Sequence, residues 1–233
     1  MRMITGILDI LFPPRCAFCG RLMECSGNGV CPDCEEELPY IGGDKCVRFV
    51  GDFRCAVALY YEDMVKDGVH SLKFGRKSNR AAVFGRYIAK VAAEQFAGEF
   101  DEVTYVPVSW KRNFTRGFDQ ARLLARAAAG VWGMREVSSL KKVRHTRAQS
   151  SLNDAVKRKE NVKGVYRVPR PERVRGRRFL LVDDVATTGS TLAAGASALM
   201  EAGAASVVCA TLAGGHRHIE NSVTGQTMDR SDG

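Results

Sequence analysis

An α/β fold, a parallel sheet flanked by helices behind a small cysteine-rich module, is what this sequence predicts, on three observations. Strand-like and helix-like segments alternate from about residue 53 onward, the pattern of β-α-β connectivity. The apolar run Phe179-Leu-Leu-Val182 passes straight into a polar, glycine-containing loop and then a helix. Two Cys-x-x-Cys pairs, Cys16 with Cys19 and Cys31 with Cys34, stand close together near the N-terminus. With 233 residues, 45% of them hydrophobic, the chain has the composition of a globular protein, and disorder or a collagen-like repeat is excluded.

The elements follow in order. Met1 to Phe12 reads as a short amphipathic helix with Ile4, Ile7, Leu8 and Leu11 on one stripe. It has no cleavage site of a secretory leader, it is too poor in Lys and Arg to hold a membrane interface, and no stretch of the chain reaches the roughly 18 apolar residues of a span. The chain is expected to be cytoplasmic. The four cysteines of the two pairs have the spacing of a tetrahedral Zn²⁺ site, with Gly20 where the first turn wants no Cβ. Cys25, Cys46 and Cys55 are expected as free thiols, Cys46 being a candidate substitute ligand or the remnant of a second knuckle. Cys209 lies in an apolar run and is expected in the core.

Phe53 to Tyr61 reads as a strand, residues 62 to 74 and 79 to 97 as helices, and Val103 to Val108 as a strand. Residues 117 to 131 read as a helix with Ala121, Leu124, Ala125 and Ala128 on one face. Phe179 to Val182 follows as a strand, then the helix Ser190 to Glu201 ended by Gly203, and the strand Ser206 to Leu212. The expected domains are residues 1–51, 52–213 and a polar tail over 214–233.

Charge is unevenly placed. Residues 141 to 178 hold 14 Lys or Arg and 3 Asp or Glu, a net +11 in a chain whose total is +9. The remaining residues therefore sum to −2, which excludes a uniformly basic, nucleic-acid-coating protein. Residues 1–51 carry 5 basic and 7 acidic residues, so the cysteine module reads as a structural staple, although Arg15, Arg21 and Phe18 are available for a local contact.

Ligands of parallel sheets sit at the C-terminal ends of the strands. There this chain has Asp183-Asp184-Val185-Ala186-Thr187-Thr188-Gly189-Ser190-Thr191, then a helix. Two acids accept hydrogen bonds from vicinal hydroxyls, and the Thr-Thr-Gly-Ser-Thr run offers N–H groups, hydroxyls and a helix N-terminus to a phosphate. A diol receptor beside a phosphate cradle is a ribose 5-phosphate site.

The stretch Phe179 to Thr191 resembles the phosphoribosyl pyrophosphate (PRPP) signature of type I phosphoribosyltransferases. The cysteine module, Val106-Pro-Val-Ser-Trp-Lys-Arg112, Arg116-Gly-Phe-Asp-Gln120, Arg144-His-Thr-Arg-Ala-Gln149 and Arg158-Lys-Glu-Asn-Val-Lys-Gly164 narrow the resemblance to the ComF family of ComFC-like competence proteins. The chain departs at Asp119, where the family usually has Asn, and at Cys46, which lacks the partner of a second ribbon. The resemblance implies that Asp183 and Asp184 hold the ribose hydroxyls, and that Thr187, Thr188, Gly189, Ser190 and Thr191 bind the 5-phosphate. It also implies that Lys111 and Arg112, with Ser109, reach the pyrophosphate, that Arg144 and Gln149 lie on a connection closing over PRPP, and that Mg²⁺ accompanies the ligand.

Two functions follow. One is an enzyme that transfers the phosphoribosyl group to an amine or base, or hydrolyses it. The other is a non-catalytic PRPP sensor of DNA uptake in natural transformation, contacting single-stranded DNA through residues 141–178 and meeting other competence proteins. Arg170 to Arg178 are read as a solvated face or a nucleic-acid contact, because fourteen cations exceed what one pyrophosphate uses. Residues 36–60 and the tail after Leu212, the candidate hood pieces, show no purine or pyrimidine pocket, and position 2 is Arg2, not the cysteine of a glutaminase.

Overall fold

A computed structural model describes residues 13–23, 27–74, 78–107, 119–143 and 164–215. Its main sheet has the strand order β1-β2-β7-β6-β3. The strands are β1 (Val47–Val50), β2 (Phe53–Tyr60), β3 (Glu102–Tyr105), β6 (Arg178–Ala186) and β7 (Ser206–Gly214), and β4 (Lys141–Lys142) pairs with β5 (Tyr166–Arg167) in a separate ribbon. β2, β7, β6 and β3 run parallel, and β1 is an antiparallel edge joined to β2 through Gly51-Asp52. The helices are α1 (Pro32–Glu37), α2 (Asp63–Phe74), α3 (Ser78–Phe96), α4 (Gln120–Val131) and α5 (Ser190–Glu201).

The long apolar segments form the elements their pattern predicts. Phe179 to Val182 and Val207 to Gly214 are buried at every position, as happens to strands covered on both faces. α3 and α4 pack against each other and against the sheet, while α5 packs on β6 and β7. Close approach depends on two helical glycines: a Cβ at Gly85 of α3 would lie 2.4 Å from that of Ala127 on α4, and one at Gly195 of α5 would lie 3.1 Å from Leu181 of β6.

Three boundaries differ by about three residues or more from the sequence reading. The strand expected over Val103 to Val108 ends at Tyr105, although Val106 N–H still donates to Val182 O at 3.0 Å; Val108 lies outside the described residues. The helix expected from residue 117 begins at Gln120, because Asp119 is its cap and accepts from Arg122 N–H at 3.2 Å. The strand ending the acid pair continues through Asp183 and Asp184 to Ala186, held by β7. The helix over Met1 to Phe12, Cys25, and the tail with His216 and His218 lie outside the described residues. No helix among the described residues is long and apolar enough to cross a membrane.

Candidate functional site

The acid pair sits on β6, between β7 and β3. Asp183 and Asp184 are half-buried, and the Asp184 N–H donates to Asp183 Oδ1 at 2.9 Å, orienting that carboxylate. Thr187 and Thr188 follow in the open. Thr188 Oγ1 and Ser190 Oγ share a hydrogen bond of 2.9 Å. Gly189 takes φ 69° and ψ −2° at the start of α5, left-handed values that suit a residue without Cβ. The cap residue Gly189 offers this helix end no side chain, and the one side-chain bond there is a long one, from Ser190 N–H to Thr188 Oγ1 at 3.5 Å. The N–H groups of this first turn are thus weakly held at most and suit an outside acceptor, and the helix dipole adds a positive field there. The loop is braced from the β1–β2 hairpin: a Cβ at Gly189 would stand 2.4 Å from Val50 Cγ1, and one at Gly51 3.2 Å from Ala193 Cβ on α5.

Tyr166, which the sequence did not single out, lies within electrostatic reach of both Asp183 and Asp119, the latter marked in the sequence only as a departure from the family. The Tyr166 phenol on β5 is held above its ordinary pKa by burial first, then by the charges of Asp183 and Asp119. Asp119 is itself buried while capping α4. Its capping position is visible in sequence; its electrostatic reach to Tyr166 arises only in the fold. Of the other candidate site residues, Ser109, Lys111, Arg112, Arg144 and Gln149 lie outside the described residues.

The second cluster is metallic in character. Cys16, Cys19, Cys31 and Cys34 bring four sulfurs within 4.8 Å of one another, three of them buried and Cys19 exposed. The separation of Cys19 and Cys31 sulfurs is 3.7 Å; a tetrahedral ion with Zn–S of about 2.3 Å places its sulfurs roughly 3.8 Å apart. Burial raises the Cys16 thiol, but backbone N–H groups of Cys31, Cys19 and Phe18 outweigh it and bring the pKa down to about 7. Pro32 starts α1 directly after Cys31, fixing the second knuckle, and Gly20 with φ 75° turns the first. The donor set fits Zn²⁺. Cys46 takes no part: its thiol donates to Gly43 O at 2.9 Å inside its own turn. Cys55 and Cys209 are register partners on β2 and β7, both fully buried, and burial pushes Cys55 up to about 12. They are core thiols.

The module is seated on α3 and α2. The Phe18 ring lies 5.1 Å from that of Phe84 and 6.0 Å from that of Tyr87. The Arg86 guanidinium donates to Asn28 O, and Tyr87 and Tyr40 hydroxyls donate to the two oxygens of Glu35 at 3.1 and 2.9 Å. Gly68 of α2 gives room for Phe18, whose ring atom would be 3.3 Å from a Cβ there.

The described part of the basic segment divides in space. Arg178 opens β6, so it stands at the far end of that strand from the Thr187–Thr191 loop, roughly 26 Å from Ala186 at 3.3 Å per residue. Arg178 forks onto Asp101 at 2.9 and 2.5 Å, and Arg177 reaches Glu102 at 3.6 Å. Arg170, Arg173 and Arg175 are exposed beside them with no carboxylate partner among the described residues.

Comparison with known proteins adds to this geometry. A family model described as phosphoribosyl transferase domain matches residues 115–229, and one described as double zinc ribbon domain matches residues 7–59. DNA utilization protein YhgH of Salmonella typhimurium is 32% identical over 209 residues, covering 84% of this chain and 90% of that protein. Competence protein ComFC of Bacillus subtilis is 26% identical over 200 residues, covering 84% and 76%. Among solved structures, the allosteric regulatory enzyme of purine biosynthesis superposes with a TM-score of 0.41 at 23% identity, over 60% of this chain and 29% of that one. The zinc ribbon match and the four-cysteine cluster together support a structural Zn²⁺.

Proposed function

The chain belongs to the ComF-like family of type I phosphoribosyltransferases with an N-terminal zinc ribbon, and from that premise we propose that it binds Mg-PRPP on the Asp183–Thr191 loop and transfers or hydrolyses the phosphoribosyl group in the service of DNA utilization. One observation carries the reading. A helix N-terminus held by no more than one long side-chain bond stands a short loop beyond a pair of half-buried carboxylates near the end of an interior strand, which is the receptor a ribose 5-phosphate needs.

In this reading Asp183 and Asp184 accept from the ribose hydroxyls, and the amides and hydroxyls of Thr187 to Thr191 hold the 5-phosphate. Ser109, Lys111 and Arg112 receive the pyrophosphate, and Arg144 and Gln149 close over it. The C1–O bond breaks with its electron pair leaving on pyrophosphate, and the acceptor's lone pair, or that of water, forms the new bond at C1 while its proton passes to solvent. Cations at positions 111, 112 and 144 offset the charge that builds on the leaving group. Bound Mg²⁺ would lower the same charge, with Asp183 and Asp184 nearby to hold it through the ribose. The acceptor is left open by the sequence. We place the module boundary at residues 51 and 52, the end of the transferase half at 213, and the protein in the cytoplasm.

Thermal unfolding with Mg²⁺ and PRPP tests the site. Native protein should be stabilised, and the Asp183→Asn, Asp184→Asn double variant should lose the shift while keeping its own melting temperature within a few degrees. An unresponsive native protein sinks the proposal. Release of pyrophosphate from PRPP then separates enzyme from sensor. The sensor reading, with single-stranded DNA on the basic segment, is favoured by the exposed Arg170, Arg173 and Arg175 and by the names of the relatives. If it holds, reversing those three charges weakens DNA binding and leaves the PRPP shift intact.

A further inference from the structure

The cysteine cluster faces a buried cation that it does not share a domain with. Arg80, in the first turn of α3, is only 8% exposed. No carboxylate pairs with it among the described residues. Its Nη2 would lie 3.3 Å from a Cβ at Gly20, so the guanidinium rests on the backbone that directly follows Cys19. Burial lowers its pKa, and the Cys16 and Cys19 sulfurs act in the opposite direction, which places both within electrostatic reach. A guanidinium on so little-exposed a residue, with no carboxylate partner among the described residues, is favoured by a nearby anion. Other arginines of the knuckles have their own partners: Arg21 pairs with Asp33, and Arg15 donates to Gly20 O at 3.2 Å in the open.

Four thiolates around one Zn²⁺ sum to −2. We propose that Arg80 is the positioning residue of the zinc centre: from the transferase half it offsets part of that −2 charge and fixes the first knuckle on α3, lowering the reactivity of the exposed Cys19 sulfur. The inference rests on the zinc reading of the cluster and is independent of PRPP binding. Gly20 matters to it twice, as the residue of the turn and as the gap through which the guanidinium approaches.

The test uses the zinc-loaded full chain and three variants, Arg80→Gln, Arg80→Lys and, as a control, Arg86→Gln, which removes the nearby bond to Asn28 O on the same helix. Zinc affinity is read by competition with a chromogenic chelator, and sulfur reactivity by the rate at which N-ethylmaleimide releases the metal. Arg80→Gln should weaken zinc by about 10- to 100-fold, the usual effect of losing a partner outside the ligand shell, and should speed release. Arg80→Lys should stay within a few-fold of the native protein on both readouts, and so should Arg86→Gln. Native-like affinity and release in Arg80→Gln overturn the proposal. So does equal loss in Arg80→Lys, or in Arg86→Gln, because docking without charge would then account for the effect. If Arg80→Gln does not fold, the Lys variant decides: retained zinc and slow release support a charge role, and their loss refutes it.

Discussion

Gly189→Ala tests whether the β1–β2 hairpin braces the phosphate loop. The new methyl would have to adopt φ 69°, and it would sit 2.4 Å from Val50 Cγ1 and 2.7 Å from Val50 Cβ. Left-handed backbone costs a residue with Cβ roughly 1–2 kcal/mol, and overpacking a filled site adds about 1–3 kcal/mol. The sum, about 2–5 kcal/mol, corresponds to a fall in melting temperature of roughly 4–20 °C for a chain of this size. The clash and the backbone strain separate in a double-mutant cycle with Val50→Gly, since removing both Cγ1 and Cβ leaves only the Val50 Cα, 3.3 Å away, near the new methyl. In that background the Gly189→Ala penalty should shrink to the left-handed cost alone, a coupling of about 1–3 kcal/mol. Urea unfolding of the four proteins, with and without PRPP, measures it. Additivity within about 0.5 kcal/mol, or a Gly189→Ala protein as stable as the native one, would refute the bracing argument.

Three further expectations follow from the packing and the charges. Gly85→Ala places a methyl 2.9 Å from the Ala128 backbone nitrogen on α4, where no rotamer gives way, so the helix pair must part at a cost of about 1–3 kcal/mol; a melting temperature within a degree of the native value would count against the close approach. Zinc removal by chelator, verified by metal analysis, should lower the melting temperature and disturb α3, since Phe18 and Phe84 share one core, and added Zn²⁺ should reverse it; an unchanged transition after complete removal would mean the cluster is not a staple. Arg178 beside Asp101 holds that carboxyl below the usual carboxylate range. A lowered pKa gives stability that is complete above the unfolded value of about 3.9 and disappears as pH falls through the lowered one. Asp101→Asn should therefore melt earlier than native protein at pH 6, with the gap closing as pH falls below the unfolded value of about 3.9, and a gap independent of pH would contradict the pairing.

Legibility in the sequence followed length and locality. β6 and β7 are long apolar runs, α3 and α5 hold an apolar face across three turns or more, and each was readable because a single periodicity dominated. β1 was not readable: Val47-Arg-Phe-Val50 is four residues long with Arg48 turned inward over Tyr60 and donating to Gly215 O, and Phe49 outward. α1 escaped because its six residues, Pro-Asp-Cys-Glu-Glu-Glu, have a metal-ligand spacing that hides a helical one. β4 and β5 are two residues each within a basic run. At the sites the same division holds. The acid pair with its loop and the two Cys-x-x-Cys pairs are contiguous in sequence, so their chemistry could be read off directly. Arg80 against Gly20, Val50 against Gly189, and Tyr166 within electrostatic reach of Asp183 and Asp119 are juxtapositions across 60, 139 and 17 or 47 positions, and no local pattern encodes them.

The spatial split of the basic segment changes what its +11 charge means. Had all of it lined the ligand loop, it would have formed one polyphosphate surface. Instead β6 carries Arg170 to Arg178 to the opposite end of the sheet from Thr187, and Asp101 and Glu102 take two of those five arginines. Arg170, Arg173 and Arg175 are what that end can offer a polyanion. Each phosphate neutralised on a single strand contributes about −0.7 to the slope of log affinity against log salt, so three arginines account for a slope of about −2. If single-stranded DNA binds at that end, charge reversal of the three should flatten the dependence by this amount. A native slope much steeper than −2 assigns the excess to cations elsewhere in the chain, and a slope unchanged by the reversal moves the contact away from the β6 origin altogether.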